Sequence, residues 1–234
     1  MPNWCTNKLV VGGEPSTVKA ISELIGLESE GIMDFDRVIP MPPSLKITSG
    51  SSTYYGLEIL EGDWRWLLTV GWFKDRLLEI YGREPESRED LIQMLETVDQ
   101  QPTAQGKSHQ VLFNTNLTEA RIAQNNRIQY GHTDWYDWSI ENWGTKWNAG
   151  DVTQDHIGDR GFIIYFDTAW SPPVPVVEAL IARFPEADIR LSYMEPGVGF
   201  AGEVTSNGDW NCPEDELEDF YASAFGYWVE NEEG

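Results

Sequence analysis

The chain has 234 residues, 41% of them hydrophobic, enough to bury roughly 70–75% of its unfolded surface, which excludes wholesale disorder and a disulfide-held miniprotein. Its 39 acidic residues against 16 basic ones give a net charge of −23 and a pI near 4.3. That balance argues against direct binding to nucleic acid phosphates, which needs clustered lysine and arginine to displace counterions. No run approaches the 18 or so apolar residues of a membrane span. The opening MPNWCTNKLVVGG lacks a secretory apolar region. The sequence therefore predicts a cytoplasmic protein with Cys5 and Cys212 as reduced thiols.

In chain order, Trp4–Val11 reads as a strand ending at Gly12-Gly13. Pro15 opens a helix with Val18, Ile21 and Ile25 on one stripe, stopped by Gly26. Phe35–Ile39 reads as a second strand, ended by Pro40, Pro42 and Pro43. Ser49–Ser52 reads as a loop. Asp63 is placed to cap a helix from Trp64 to Gly82 whose stripe runs Trp64, Leu67, Leu68, Trp72 and on to Phe73, Leu77, Ile80 and Tyr81. Ser87 with Asp90 resembles a capping box for a helix carrying Leu91, Leu95 and Val98. Gln100–Ser108 reads as a polar loop, and Thr118 as the cap of a helix reaching Tyr130.

Strand and helix patterns then return. Phe162, Ile164 and Phe166 alternate with Ile163 and Tyr165, as in a central strand buried on both sides. Val177, Leu180, Ile181 and Phe184 mark a helix after the prolines at 172, 173 and 175. Ile189, Leu191 and Tyr193 alternate as the next strand, Gly197–Val204 adds a hairpin strand, and Pro213–Phe225 reads as a terminal helix. Two strand–helix–strand units around an insertion predict an α/β (α+β) fold: a ferredoxin-like sandwich with an antiparallel sheet plus a helical insertion. The expected division is residues 1–43 with 137–210 for the sandwich, 44–136 for the insertion, and 211–234 for an acidic C-terminal helix and tail. Both helices should lie on one sheet face. The other face is then covered, with the insertion as candidate, or forms an interface with a second copy.

Gly197–Gly202 spells G-x-G-x-x-G, but the following Glu203–Gly208 favours strand and turn over the helix a dinucleotide site requires. The histidines, His109, His132 and His156, show no zinc-ligand spacing with thiols, so no metal or cofactor is expected. Glu141 and Glu195 are carboxylates beside aromatic-rich segments. The densest unusual segment is Trp135–Asn148, with four tryptophans between Trp135 and Trp147. It makes either an aromatic mini-core or a concave pocket. For the pocket, the candidate ligand-binding residues are Trp143, Lys146, Trp147 and Trp170, with Asn142 (or Asn148) and Glu195 as polar groups.

The opening Met1–Asn7, the run SIENWGTKWNA after Trp138, the run FDTAWSPP at Phe166–Pro173, and the late set Tyr193, Glu195, Gly197, Phe200 and Gly202 resemble the YubB-like family of plasmid, phage and genomic-island proteins. The resemblance implies a ferredoxin-like C-terminal part and an accessory role in a mobile element. It supplies no catalytic residue or substrate. No nucleophile–base constellation stands out. The sequence thus favours a non-enzymatic acidic module that binds a basic protein partner, with a tryptophan-lined site for a small anionic ligand as the alternative.

Overall fold

The computed structural model describes residues 2–27, 31–99 and 113–226. It divides into two units, Met1–Met41 with Trp138–Gly234, and Pro42–Asp137. The first is an α+β sandwich. Its six strands are β1 (Trp4–Gly12), β2 (Gly150–Gly158), β3 (Gly161–Ala169), β4 (Asp188–Glu195), β5 (Phe200–Thr205) and β6 (Gly208–Asn211). They lie in the order β2-β3-β1-β4-β5-β6, and each neighbouring pair is antiparallel. Helix α1 (Pro15–Ile25) follows β1, and a second long helix, Val174–Arg183, links β3 to β4. The four strands β2-β3-β1-β4 with these two helices make the ferredoxin-like arrangement, extended at the β4 edge by β5 and β6.

The period-2 pattern sorts the faces. Cys5, Leu9 and Val11 join Phe162, Ile164, Phe166, Ile189 and Leu191 in the buried core with Val18, Ile21 and Ile25 of α1 and Val177 and Leu180 of the second helix. The β1–β3 register sets Trp4 opposite Ala169 and Gly12 opposite Gly161. On the opposite face β3 is only half-buried at Ile163 and Tyr165, so the strand is central without being equally buried on both sides.

One expectation needs correction. Phe35–Ile39 is not a strand: Phe35–Val38 forms a one-turn helix, α2, started by Asp34, whose carboxylate accepts from the Asp36 N–H at 3.0 Å. The strand that fills that place in the sheet is β2. The C-terminal helix Leu217–Phe225 packs on the second sheet face. Leu217 and Tyr221 pack with Met194 and Ala201, and Phe225 meets Tyr165.

The second unit is helical: α3 (Ser51–Leu60), α4 (Trp64–Leu67), α5 (Gly71–Tyr81), α6 (Arg88–Asp99) and α7 (Leu117–Tyr130). Its core gathers Ile59, Trp64, Leu67, Phe73, Leu77, Leu91, Leu95, Phe113 and Leu117. Helix α3 begins inside the segment expected to be a loop. It approaches α7 closely because Gly56 has no side chain: a Cβ there would stand 2.6 Å from that of Ala120. The helix expected over Trp64–Gly82 is broken at Thr69-Val70, where the Thr69 hydroxyl donates to the Trp66 carbonyl at 2.7 Å. The break turns Trp72 outward, to 45% exposure, although its spacing matched the core stripe. Ser87 does cap α6, accepting from the Asp90 N–H at 3.1 Å, whereas α7 is capped by Asn116 rather than Thr118. Met1, Gln100–Ser108, His109 and the acidic residues Glu230, Glu232 and Glu233 lie outside the described residues, as does the side chain of Val98. Helix α8 (Trp135–Trp143) returns the chain to the sandwich; the Val174–Arg183 helix is α9 and the C-terminal one α10.

Candidate functional site

The tryptophan run separates into a filled core and an exposed ledge. Trp143 is 7% exposed; its indole donates to the Ile39 carbonyl at 2.9 Å, and its ring meets Phe35 and Trp138 edge to face. Asn142 turns back along its own helix, donating to the Trp138 carbonyl at 2.9 Å. Glu195 is 3% exposed and accepts the backbone N–H groups of Gly197 and Val198, closing the β4–β5 turn. Asn148 joins α2 by accepting from the Phe35 N–H at 2.8 Å. These residues spend their polar groups on partners within the sandwich unit, as the buried Trp143 and Glu195 must.

Just beyond Trp143 the chain makes a glycine turn that ties the two tryptophan-containing motifs together. Gly144 has φ +79°, and a Cβ there would meet Pro175 Cδ at 2.8 Å and the Pro172 carbonyl at 2.9 Å. The Ser171 hydroxyl donates to the Gly144 carbonyl at 2.6 Å, and the Thr145 hydroxyl to that of Ala169 at 2.9 Å. Thr168 extends the network to β1, receiving the Asn7 amide at 2.9 Å and donating to the Ser171 carbonyl at 2.8 Å. Lys146, Trp147 and Trp170 are presented at the surface by this frame. The Lys146 ammonium stands 4.5 Å from the Trp147 ring centre, and Trp147 lies 6.3 Å from Trp4. Trp170, with φ +73°, donates its N–H to the Asn3 carbonyl and is 52% exposed. Of the six candidates, three are therefore brought to one end of the sheet with Trp4, and three hold the frame beneath.

Cys5, buried beside this network, has its thiol pushed up to about 12, chiefly by burial, with the nearby carboxylates of Glu195 and Asp167 adding to the rise. It stays protonated and cannot act as a nucleophile near neutral pH.

The helical unit contains a second candidate that periodicity did not reveal. An open groove of about 720 Å³ runs beside α3 and α7, with Tyr54, Leu57, Glu58, Glu61, Arg127 and Asp134 in its wall. Asn126, fully buried, holds its floor by donating to the carbonyls of Ser44 (2.8 Å) and Thr133 (3.1 Å). Arg127 pairs with Glu61, so Glu58 and Asp134 leave the groove with net negative charge. The Tyr54 hydroxyl is held above its ordinary range, first by the Glu58 carboxylate. Tyr54, Trp66 and Trp72 are exposed and linked through Tyr55, whose ring centre lies 5.9, 6.0 and 6.3 Å from theirs. The broken helix at Thr69 was the missing signal for one of these rings: with it, Trp72 moves from the core stripe to the surface.

The chain is similar over residues 142–232 to a family model described as the ferredoxin-like domain in Api92-like protein. Among solved structures it matches the crystal structure of a protein Api92 from Yersinia pseudotuberculosis, with 15% identity and a TM-score of 0.43, covering 91% of this chain and 99% of that one. No curated protein matches. Among the described residues, no helix is long and apolar enough to cross a membrane, and no group of three or more His, Cys, Asp or Glu side chains is placed to hold a metal ion.

Proposed function

We propose that this chain is a non-enzymatic interaction module that docks a basic segment of a protein partner, with the acidic groove of the helical unit as the receptor. The single observation that carries this is that the surplus carboxylates Glu58 and Asp134 share the groove wall with the exposed ring of Tyr54, from which Tyr55 leads on to the exposed rings of Trp66 and Trp72. Carboxylates attract lysine and arginine head groups; aromatic faces accept the same cations and their alkyl stems. The cations of the chain itself support the same view. Among the described residues, lysines and arginines such as Lys74, Arg83, Arg121 and Arg127 are engaged in intramolecular ion pairs, which leaves the acidic excess to act outward. The resemblance to YubB-like proteins adds the setting: an accessory protein of a mobile element, in the cytoplasm of a bacterial host. The test is capture of partners from a bacterial lysate at low and high salt, with Glu58→Lys as the control bait. Recovery that falls with salt and with Glu58→Lys supports the proposal; binding that ignores both refutes it.

A second proposal rests on the ledge of Trp4, Trp147 and Trp170 with Lys146: a stacking site for a planar anionic ligand. A thermal-shift screen of nucleotides and aromatic acids tests it, with Lys146→Met expected to remove any ligand-induced stabilisation.

A further inference from the structure

The second face of the sheet holds a small cavity of about 280 Å³ beneath α10, whose chemistry opposes that of the rest of the chain. Its wall contains Lys8, Arg190, Ser192, Glu203 and Ser223. The register explains how they meet: Lys8 pairs with Ser192 and Val10 with Arg190, so the two cations stand on one face as diagonal neighbours of adjacent strands. Such neighbours lie about 7–8 Å apart at the backbone, within reach of one small anion for both long side chains. Like charges so placed repel, and the fold offsets this for only one of them. Lys8 donates to the Ala224 carbonyl at 2.9 Å, in the last turn of α10, where the helix end favours a cation. Arg190, the last basic residue of the sequence, is exposed and has no ion-pair partner among the described residues. Arg190 therefore keeps its guanidinium donors available to a ligand in the cavity it shares with Lys8.

We propose that this cavity binds a phosphate group, as the free dianion or as a monoester, between Arg190 and Lys8. The guanidinium supplies a planar fork of N–H donors that matches two phosphate oxygens, the ammonium supplies a point charge, and the Ser223 hydroxyl borders the same space. Two positive charges match a dianion. Glu203 is the one carboxylate in the wall; it accepts from the Ser192 hydroxyl at 2.7 Å and weakens the site without filling it.

The test is titration with inorganic phosphate and, separately, glycerol 3-phosphate, followed by calorimetry and by thermal shift. Sodium chloride at matched ionic strength is the control, because any salt screens a net charge of −23 and raises stability without a site. Saturable phosphate binding beyond the chloride control is expected, weakened at least tenfold in Arg190→Gln and strengthened severalfold in Glu203→Gln. Tighter binding of glycerol 3-phosphate identifies a monoester as the ligand; equal or weaker binding identifies the free ion. Because Arg190 is exposed, Arg190→Gln should keep its far-ultraviolet circular dichroism; should it not, Arg190→Lys retains the charge, loses the fork and should bind with intermediate affinity. Phosphate no better than chloride, or Glu203→Gln and Arg190→Gln both binding like the parent protein, overturns the proposal.

Discussion

Replacing Gly144 by alanine separates a structural role of the tryptophan motif from a merely local turn. A non-glycine residue at φ +79° is strained by roughly 1–2 kcal/mol. The new Cβ would also stand 2.8 Å from Pro175 Cδ and 2.9 Å from the Pro172 carbonyl, both belonging to backbone or a rigid ring. Overpacking of that kind costs about 1–3 kcal/mol more, for a total near 2–5 kcal/mol. Gly199 provides the control in the same unit: φ is +86°, and nothing lies within 4 Å of its Cβ position. Gly199→Ala should therefore show the strain alone, about 1–2 kcal/mol. Urea unfolding followed by tryptophan fluorescence measures both variants. Equal losses for the two would refute the claim that Gly144 is held against the proline segment.

Trp143→Phe leaves the Ile39 carbonyl without its donor and should destabilise the sandwich by about 1–3 kcal/mol in the same assay, whereas Trp170→Phe, at an exposed position, should change little. Cys212, half-buried and with its thiol raised by burial and by Glu216 and Asp215, should react slowly but directly with a thiol reagent at pH 8, and Cys5 only at the rate of unfolding, since Cys5 is fully buried. Because the Cys5 thiol is raised in the folded state, the folded chain holds its proton longer than the unfolded one. Its linked effect is a loss of stability as pH climbs from about 9 towards 12, by at most about 1.4 kcal/mol per pH unit; Cys5→Ser should flatten that slope. Asp90 shows the opposite sign: the Arg83 guanidinium holds its carboxyl at about 2, so its contribution is present above pH 4 and is lost as pH falls through 2, as an NMR titration of Asp90 would record.

The sandwich was legible where burial on one face imposed a period of two or three and a half. Leu9, Phe166, Leu191 and the stripe of α9 are cases. β2 was not legible, because an edge strand exposed on most of its length has no apolar alternation: Asp151, Gln154, Asp155 and His156 are all polar. Phe35 misled for the complementary reason, since one buried aromatic satisfies a strand and a helical turn alike, and the Asp34 cap decided between them. In the tryptophan run, composition identified the segment, but which rings are core depends on partners distant in sequence. Trp143 finds Phe35 and Ile39, whereas Trp147 finds Trp4 at the rim. The exposure of Trp72 depends on a helix break at Thr69 that propensity alone does not place, and the acidic groove on the approach of residues 49–62 to Arg127 and Asp134, far apart in sequence.

The most direct measurement is an NMR titration of the protein with a short lysine- and arginine-rich peptide at low and at physiological salt. Shifts should concentrate at Tyr54, Glu58, Glu61 and Asp134, and affinity should fall steeply with salt as exposed charges are screened. Removing two surface charges together, Glu58→Gln with Asp134→Asn, should weaken binding roughly 2- to 30-fold, at about 0.2–1 kcal/mol for each exposed pair. Shifts scattered over the acidic entry to α10, from Glu214 to Asp219, or a double variant that binds as well as the parent chain, would contradict docking at the groove.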